Sequence, residues 1–299
     1  YGFRNLSLSR DGNKLVTVKI DRRTRFWISP ASNLKAGSVA SEDFGRFDSV
    51  GWSDDGQLIS QANRGNGMNL WTIDPADGRP RLLTGGSTSD RTATWVHHQD
   101  AVVFVSNRSG TSNLWRLTPK TNAYQQLTTW TDFVEQPDCS PDGNWIAYTS
   151  WQANTPFLLK IPSHGGAPSR LLDKPARDAV FSPNGRWIAA EMLDPQSRTY
   201  WEVVVFPAGG GSELIHLPQI PPGSKIRWSP DSRGLNYIVT TAKGVSNIWF
   251  QPLSDAPPEQ ATSFDDERIF DYAWSVKGDK LACLRGRVWS DAVLLERKN

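Results

Sequence analysis

Short apolar segments alternate with polar turns along the whole chain. Segments such as 15–18 and 187–190 have the length of β-strands and are bounded by clusters of Gly, Pro, Asp, Asn or Ser. The spacing of apolar residues gives no convincing amphipathic helix, and the mixture of Ala, Glu, Lys and Leu typical of helices is sparse. The pattern therefore predicts an all-β protein.

One turn motif recurs along the chain. It has the sequence Ser-Pro-Asp-Gly at 140–143, and related turns occur at 9–12, 53–56, 182–185, 229–232 and 275–278. A divergent copy replaces the turn by His-His-Gln-Asp at 97–100. The seven apolar residues that precede these copies are separated by 42 to 47 residues, and they are Leu8, Trp52, Trp95, Cys139, Phe181, Trp228 and Trp274. The chain is therefore built from a repeat.

A period in the forties with four strands per repeat is typical of a β-propeller blade. We therefore predict that 1–299 is a single domain, a seven-bladed β-propeller of four-stranded antiparallel blades. The blades are expected at 1–43, 44–86, 87–130, 131–173, 174–219, 220–264 and 265–299. The last repeat ends without a fourth strand, so we expect the closing strand of that blade to be missing from this chain, either upstream of Tyr1 or absent.

The repeat assigns most aromatic rings and turn carboxylates to the framework. A Trp follows Asn by two positions in several third strands, as Trp115 follows Asn113. Such rings each bury about 150–250 Å², and we expect them to fill the space between blades. Gly accepts positive φ in the turns, and Asp or Ser binds the local backbone. Asp142 and its counterparts Asp11 and Asp55 are therefore expected to be structural.

With these motifs in place, the chain resembles the TolB-like propellers built from PD40 (WD40-like) repeats. The resemblance covers the whole chain and rests on the Ser-Pro-Asp-Gly turns, the Asn-x-Trp third strands and fourth strands like Gln-Leu-Thr at 126–128. The segments 244–253, 268–275 and 290–295 are similar to the C-terminal propeller of bacterial membrane-anchored Ser/Thr protein kinases and of CadC-like winged-helix regulators. That resemblance implies a sensor or interaction domain in the periplasm or elsewhere outside the membrane, joined to a cytoplasmic output domain.

Composition narrows the choice of partners. The formal charge is +2, so there is no basic surplus that would favour nucleic acid. No apolar run is long enough to span a bilayer. Cys139 and Cys283 lie three repeats apart, and we expect two small buried hydrophobic residues rather than a disulfide. We predict a protein or peptide partner or a small ligand, and no cofactor; the sequence leaves the oligomeric state open.

The motifs of common enzymes are missing from the sequence. It contains no Gly-x-Ser-x-Gly elbow, no P-loop, no Cys-x-x-Cys pair and no Gly-x-Gly-x-x-Gly after a strand. The four histidines, His97, His98, His164 and His216, have no ligand-like spacing to other metal-binding residues within one element. We therefore predict no catalytic residue and no metal site.

The loops opposite the Ser-Pro-Asp-Gly turns remain as candidates for binding, because a rigid scaffold positions them. Trp and Arg are enriched at interface hot spots, and both occur in these loops. The candidate binding residues are Trp130, Trp151, Trp201, Trp289, Arg64, Arg108, Arg285 and Arg287. The alternative, of equal weight for each residue, is that the charges form a solvated face and the rings pack on neighbouring loops.

Three kinds of function are compatible with the sequence. The first is a non-catalytic sensor or interaction propeller that binds its ligand at the loop-rich channel mouth and belongs to a larger signalling protein. The second is a propeller enzyme, a lyase or hydrolase, or the accessory propeller of a peptidase. The third is a structural or oligomerisation module, which would carry a large apolar surface patch rather than a charged mouth.

Overall fold

The computed structural model describes residues 2–41, 46–63, 67–129, 133–194, 200–211, 214–254 and 256–296. Every element assigned in these ranges is a β-strand or a turn. No helix in them is long and apolar enough to cross a membrane. The N-terminal strands are β1 (Gly2–Leu8), β2 (Lys14–Pro30) and β3 (Ser38–Ser41).

Five four-stranded antiparallel sheets follow, each made of four consecutive strands. The first two contain β4 (Gly51–Trp52), β5 (Leu58–Asn63), β6 (Met68–Ile73), β7 (Pro80–Leu82), β8 (Asp90–Trp95), β9 (Val102–Ser106), β10 (Asn113–Thr118) and β11 (Ala123–Gln126). The next two contain β12 (Val134–Cys139), β13 (Trp145–Gln152), β14 (Thr155–Pro162), β15 (Ser169–Arg170), β16 (Ala176–Phe181), β17 (Trp187–Leu193), β18 (Trp201–Pro207) and β19 (Ile215–Leu217). The fifth contains β20 (Ile226–Trp228), β21 (Gly234–Thr240), β22 (Ser246–Pro252) and β23 (Glu259–Gln260).

The sixth sheet joins the two ends of the chain. Its last strands are β24 (Arg268–Trp274) and β25 (Lys280–Glu296). β25 pairs with β24 through Leu281 to Gly286 and with β2 along the full length of both strands. β2 in turn pairs with β3 and β1. The blade therefore runs β24-β25-β2-β3, and its third and fourth strands come from the start of the chain.

The all-β propeller of four-stranded antiparallel blades is confirmed, but the blade count is corrected. The described strands form six sheets rather than seven, because the first and last repeats share one. The expectation that the last blade lacks its closing strand within this chain is also wrong, since β3 closes it. The physical reason is the connection between second and third strands. Residues 19–25 contain no Gly, Pro or Asn to form a turn, so β2 stays extended and pairs with the equally long β25.

Hydrogen bonds in the turn after β12 explain the recurring residue types. The Ser140 amide donates to the Trp145 carbonyl oxygen, and the Gly143 amide donates to the Ser140 carbonyl oxygen, both at 2.9 Å. Asp142 accepts from the Ser140 hydroxyl and from the Asn144 amide. The Ser140 hydrogen bond is the main cause of a lowered pKa for Asp142. Gly143 has a φ of 73°, a conformation that costs glycine little. This turn carboxylate is structural, as predicted.

The third and fourth strands of a blade are locked by a buried threonine. The Thr128 hydroxyl accepts from the Leu114 amide and donates to the Asn113 side-chain oxygen, both at 2.9 Å. Thr262 donates to Asn247 in the same way at 3.0 Å in a later blade. These bonds account for the Asn-x-Trp and Gln-Leu-Thr motifs, because buried polar groups need partners.

Apolar side chains fill the space between neighbouring blades. One cluster includes Val105 of β9 and Tyr148 of β13. The indole N–H of Trp52 donates to the Ala273 carbonyl oxygen of the adjacent blade at 3.0 Å. Trp228 makes the equivalent bond to a carbonyl oxygen of β16, also at 3.0 Å. Both tryptophans thus belong to the framework, as the repeat predicts.

The two cysteines are buried free thiols in β12 and β25. Burial raises the pKa of Cys139 and of Cys283 to about 12. A thiol with such a pKa is almost entirely protonated at neutral pH, and only the thiolate is a strong nucleophile or metal ligand. The prediction of two small buried hydrophobic residues is confirmed.

Candidate functional site

The first strands of the six blades, β24, β4, β8, β12, β16 and β20, surround a central cavity of about 630 Å³. Each of these strands contributes lining residues, and the cavity extends to the Ser-Pro-Asp-Gly turns at one end. Pockets that bind small molecules or peptide side chains have volumes of this order. The cavity is therefore the candidate functional site, and its chemistry depends on the side chains of the inner strands.

Three inner strands contain a bulge at the same place in the repeat. The pairing register shifts within β8, β12 and β16 between the residue four positions before the last strand residue and the residue one position before it. Thr92, Gln136 and Asp178 occupy the bulges with φ values of 47°, 52° and 59°, a region that L-residues rarely adopt. All three line the cavity. Bulges and left-handed residues are concentrated at functional sites, and these three occur at the end of the channel opposite the turns.

Cations at this end are held by buried carboxylates. Asp271 is 1% exposed and lies 3.4 Å from both the Lys225 ammonium and the Arg227 guanidinium. It also accepts a hydrogen bond from the Val50 amide of the neighbouring blade at 3.1 Å. These bonds fix the two cations on the β20 side of the channel.

A second buried carboxylate fixes a cation beside an aromatic ring. The Arg177 guanidinium binds Glu191 at 2.8 Å, and only 2% of the Glu191 side chain is exposed. The same guanidinium lies 4.3 Å from the centre of the Trp201 ring. Glu191 also accepts a hydrogen bond from the Gly223 amide. Asp271 and Glu191 are thus each satisfied by a cation and by a backbone N–H group.

Two other carboxylates in the channel are not matched in this way. Asp138 accepts a hydrogen bond from the Phe181 amide at 2.7 Å, and the described residues place no cation within 4.0 Å of it. Burial raises its pKa. Asp178 lies 3.9 Å from Arg177, and burial together with Glu191 raises its pKa to about 6. A carboxylate that lacks a counter-ion in an enclosed site favours the neutral form.

The described residues contain no group of three or more His, Cys, Asp or Glu side chains that could hold a metal ion. At the turn end of the channel, His97 binds Asp54 through Nδ1 at 2.8 Å. This contact ties one turn to the next, and it directs the imidazole nitrogen at a partner within the fold. The arrangement can bind charged and polar groups.

Trp151 and Trp201, two of the predicted binding residues, contact charged side chains but do not line the cavity. The Trp151 indole donates to Glu135 at 2.8 Å, and its ring stacks on Phe133 at 5.3 Å between ring centres. The Trp201 ring packs against the Arg177 guanidinium, as described above. Phe133 is 42% exposed, so one face of the stacked pair is open to solvent. Binding by these rings stays a prediction.

Arg108 and Arg285 lie in buried networks instead. Arg108 forms an ion pair with Asp90 at 2.9 Å and lies over the Tyr124 ring at 4.1 Å. Arg285 pairs with Asp266 at 2.8 Å and lies 3.8 Å from the centre of the Phe264 ring. Only 17% and 6% of the two arginine side chains are exposed. Their contacts stabilise blades, which leaves little of either guanidinium for a partner.

The remaining predicted residues lie away from the channel or outside the described ranges. Trp289 is in β25 opposite Asp21 and is 44% exposed. Arg287, on the same strand, is 3.6 Å from Asp266 and has 59% of its side chain exposed. Trp130 and Arg64 fall outside the described residues.

Sequence reasoning missed the charged groups of the inner strands. Asp138 and Arg227 occur one residue before the apolar residue that precedes the turn, and Asp178, Lys225 and Asp271 occur three residues before it. The signal was present once the repeats were aligned, because charged residues are rare in strands that are covered on both faces. We interpreted these strands as framework and searched only the loops.

The sequence matches no protein-family model and no curated protein. The fold is similar to that of a putative TolB from Agrobacterium tumefaciens, with a TM-score of 0.72 and 17% identity over 89% of this chain and 99% of that one. TolB from Acinetobacter baumannii matches with a TM-score of 0.64 and 13% identity, over 91% of this chain and 66% of that one. Oligogalacturonate lyase from Vibrio parahaemolyticus matches with a TM-score of 0.55 and 12% identity, over 93% and 77%. These similarities show the fold of a TolB-like β-propeller.

Proposed function

We propose that this propeller is a non-catalytic binding domain that takes up a segment of a protein or peptide partner in its central channel. The observation that carries the proposal is the cavity of about 630 Å³, which all six inner strands line. One end of it combines strained backbone at Thr92, Gln136 and Asp178 with charged side chains. A site that is concave, preformed and equipped with a few polar groups is typical of ligand binding.

The larger context of this domain is also a proposal. The resemblance of the last two repeats to sensor propellers supports a role in a bacterial signalling protein, in which a kinase or winged-helix domain is the output. In such a protein the propeller would lie outside the membrane and report binding in its channel. A channel ligand touches all six blades at once, so its binding would stiffen the whole ring.

The choice between binding and catalysis rests on the side chains of the channel. A lyase or hydrolase needs a base or a metal beside the reacting bond. In the described part of the channel, Asp138 and Asp271 accept hydrogen bonds from backbone amides, and Asp178 lies 3.9 Å from Arg177. The described residues contain no cluster of metal-binding side chains. This arrangement favours binding over the chemistry that the lyase-like fold also accommodates.

A filled channel tests the proposal. Thr94 lines the cavity from β8, and Thr94→Trp would occupy part of the space. Peptides selected from a random twelve-residue library on the wild-type protein should bind Thr94→Trp at least tenfold more weakly. Thr121→Trp, in an exposed turn, is the control and should bind as the wild type does. If the selected peptides bind Thr94→Trp as tightly as the wild type, or if no peptide is enriched, the proposed function is wrong.

A structural or assembly role is the second candidate, and one observation favours it. Half of the exposed large apolar side chains belong to β1 and to the paired parts of β2 and β25 beyond the sixth blade, and they are Leu6, Leu8, Val16, Val288, Trp289, Leu294 and Leu295. Exposed apolar patches are typical of interaction surfaces. Light scattering across a hundredfold range of concentration tests this role. Leu294→Ser should shift a concentration-dependent mass to that of the monomer, and a constant monomer mass for the wild type would exclude self-association.

A further inference from the structure

Building on the proposed function, we infer that the channel wall formed by β12 and β16 binds a positively charged group of the partner, an arginine or lysine side chain, between Asp138 and Asp178. The two carboxylates belong to neighbouring inner strands. The Phe181 amide of β16 donates to Asp138 of β12, and Asp178 precedes Phe181 on the same strand by three residues. Both carboxylates line the cavity.

Asp138 is half-buried, and it lines the cavity. It accepts a hydrogen bond from the backbone amide of Phe181. No ion pair joins it to any cation among the described residues, whereas Asp271 and Glu191 each have one or two. Burial raises the pKa of Asp138 and so disfavours its ionised form, and a cation of the ligand would favour that form again.

The nearest fixed cations are directed elsewhere. Arg227 donates to the Ile226 carbonyl oxygen at 2.9 Å and to Asp271 at 3.4 Å. Lys225 pairs with Asp271 at 3.4 Å. These bonds hold both cations on the β20 side of the channel. From there Arg227 lowers the pKa of Asp138 and Lys225 lowers the pKa of Asp178, so the wall charge is offset in part. Neither cation forms an ion pair with either carboxylate among the described residues.

Asp178 is kept in the channel by its backbone and is crowded by like charges. Its amide, in the left-handed conformation, donates to the Thr149 hydroxyl at 3.1 Å. Burial, Glu191 and, more weakly, Glu135 raise its pKa, and Arg177 at 3.9 Å and, more weakly still, Lys225 oppose them only in part. This part of the wall therefore has an excess of negative charge, and it attracts a cation rather than a neutral or acidic group.

Two aromatic rings lie on and beside β13, the strand that pairs with β12. Thr149 and Trp151 are two residues apart on β13, so their side chains project from the same face of the blade. Thr149 holds Asp178, and Trp151 is stacked on Phe133 with its indole bound to Glu135. Neither ring lines the cavity, so the carboxylates alone would contact the cation in the channel.

The strength of the contact sets the size of the expected effect. A hydrogen bond to a charged partner contributes enough to change binding by about tenfold or more. Exchanging Asp for Asn keeps the shape and the hydrogen-bond acceptor while removing the charge. Each substitution should therefore weaken a cationic ligand by about tenfold and leave a neutral ligand of the same shape unchanged.

The test uses three blocked tripeptides, acetyl-Gly-X-Gly-amide with Arg, Gln or Glu as X, titrated into the protein by isothermal calorimetry at pH 7.5. We expect the Arg peptide to bind at least tenfold more tightly than the Gln peptide and the Glu peptide to bind most weakly. D138N and D178N should each remove most of this preference. D173N makes the same change at an exposed position that does not line the cavity, and it should behave as the wild type.

The outcomes separate the inference from the proposed function. If library peptides bind in a way that Thr94→Trp abolishes, but Arg has no advantage over Gln, the proposed function stands and the cation site does not exist. A preference for Arg that persists in both Asn variants, or that D173N removes equally, places cation binding outside this wall and overturns the inference. If D138N fails to fold, as judged by circular dichroism, the result for D178N alone tests the inference. This substitution keeps the hydrogen bond from the backbone amide of residue 178 to Thr149.

Discussion

Replacing Asp178 with Asn should stabilise the folded protein at neutral pH even as it weakens a cationic ligand. In the unfolded chain an Asp has a pKa of about 3.9, whereas burial and Glu191 raise the pKa of Asp178 to about 6 in the fold. The folded state therefore binds the proton more tightly than the unfolded state. Ionising Asp178 costs folding free energy, and that cost grows as the pH rises from 4 to 6 and is constant above.

The magnitude follows from the shift. About two pKa units correspond to ~3 kcal/mol at 1.36 kcal/mol per unit, which is an upper limit. Because 35% of the Asp178 side chain is exposed, water screens the interaction, and we reduce the expected gain for Asp178→Asn to about 1 kcal/mol at pH 7.5. At pH 3.5 both states bind the proton, so the gain should disappear.

Urea denaturation followed by tryptophan fluorescence measures this difference, with wild type and variant compared at pH 7.5 and 3.5. Asp142→Asn is the control, and its effect on stability should have the opposite sign. Its pKa is lowered in the fold, mainly by the Ser140 hydrogen bond, so this variant should be less stable than the wild type at pH 7.5, and the loss should shrink as the pH falls. If Asp178→Asn is no more stable than the wild type at pH 7.5, or is stabilised equally at both pH values, the charge of Asp178 is not the cause.

Three further predictions concern the framework. Gly143→Ala should destabilise the protein by about 2 kcal/mol or more in urea denaturation, because its Cβ would collide with a backbone carbonyl oxygen of the preceding blade; Gly12→Ala, with the same positive φ but open space, should lose only about 1 kcal/mol, and equal losses would exclude the collision as the cause. Thr128→Val should cost about 1–3 kcal/mol, since it removes the acceptor of the buried Leu114 amide and one donor to the Asn113 oxygen. An unchanged urea midpoint would show that these two hydrogen bonds are not needed for stability. Cys139 and Cys283 should react with a thiol reagent at pH 8 only after unfolding, because burial raises the pKa of each to about 12; rapid reaction of the native protein would show that a thiol is accessible.

The blade architecture could be predicted from the sequence because its signals are local. The turn at Ser140 and Gly143 needs residues that cap a tight turn and accept positive φ, and Thr128 must follow Asn113 at a fixed distance to lock two adjacent strands. Such requirements produce a sequence pattern within a few residues of chain, and the pattern is easier to recognise because it recurs in several blades.

Ring closure and the channel could not be predicted in the same way. The pairing of β2 with β25 joins residues from the two ends of the chain, and no local pattern encodes the choice of a partner that distant. Its only trace is a missing turn signal at 19–25, which we did not use. The charges at Asp138 and Asp178 face a cavity that exists only when six blades meet, so nothing in one repeat reveals their surroundings.

The blade that unites β24 and β25 with β2 and β3 also sets an order of events in folding. The other five sheets use strands that follow one another in sequence, so each can form as soon as its own segment is available. The sixth must bring together two distant segments, and distant contacts form slowly because closing a long loop costs entropy. β24 contributes Asp271, which anchors Lys225 and Arg227 and reaches the Val50 amide of the neighbouring blade. We therefore expect the cavity to gain its last wall and the anchor of its two cations in the same late step. A ring that has not closed should lack a complete binding site.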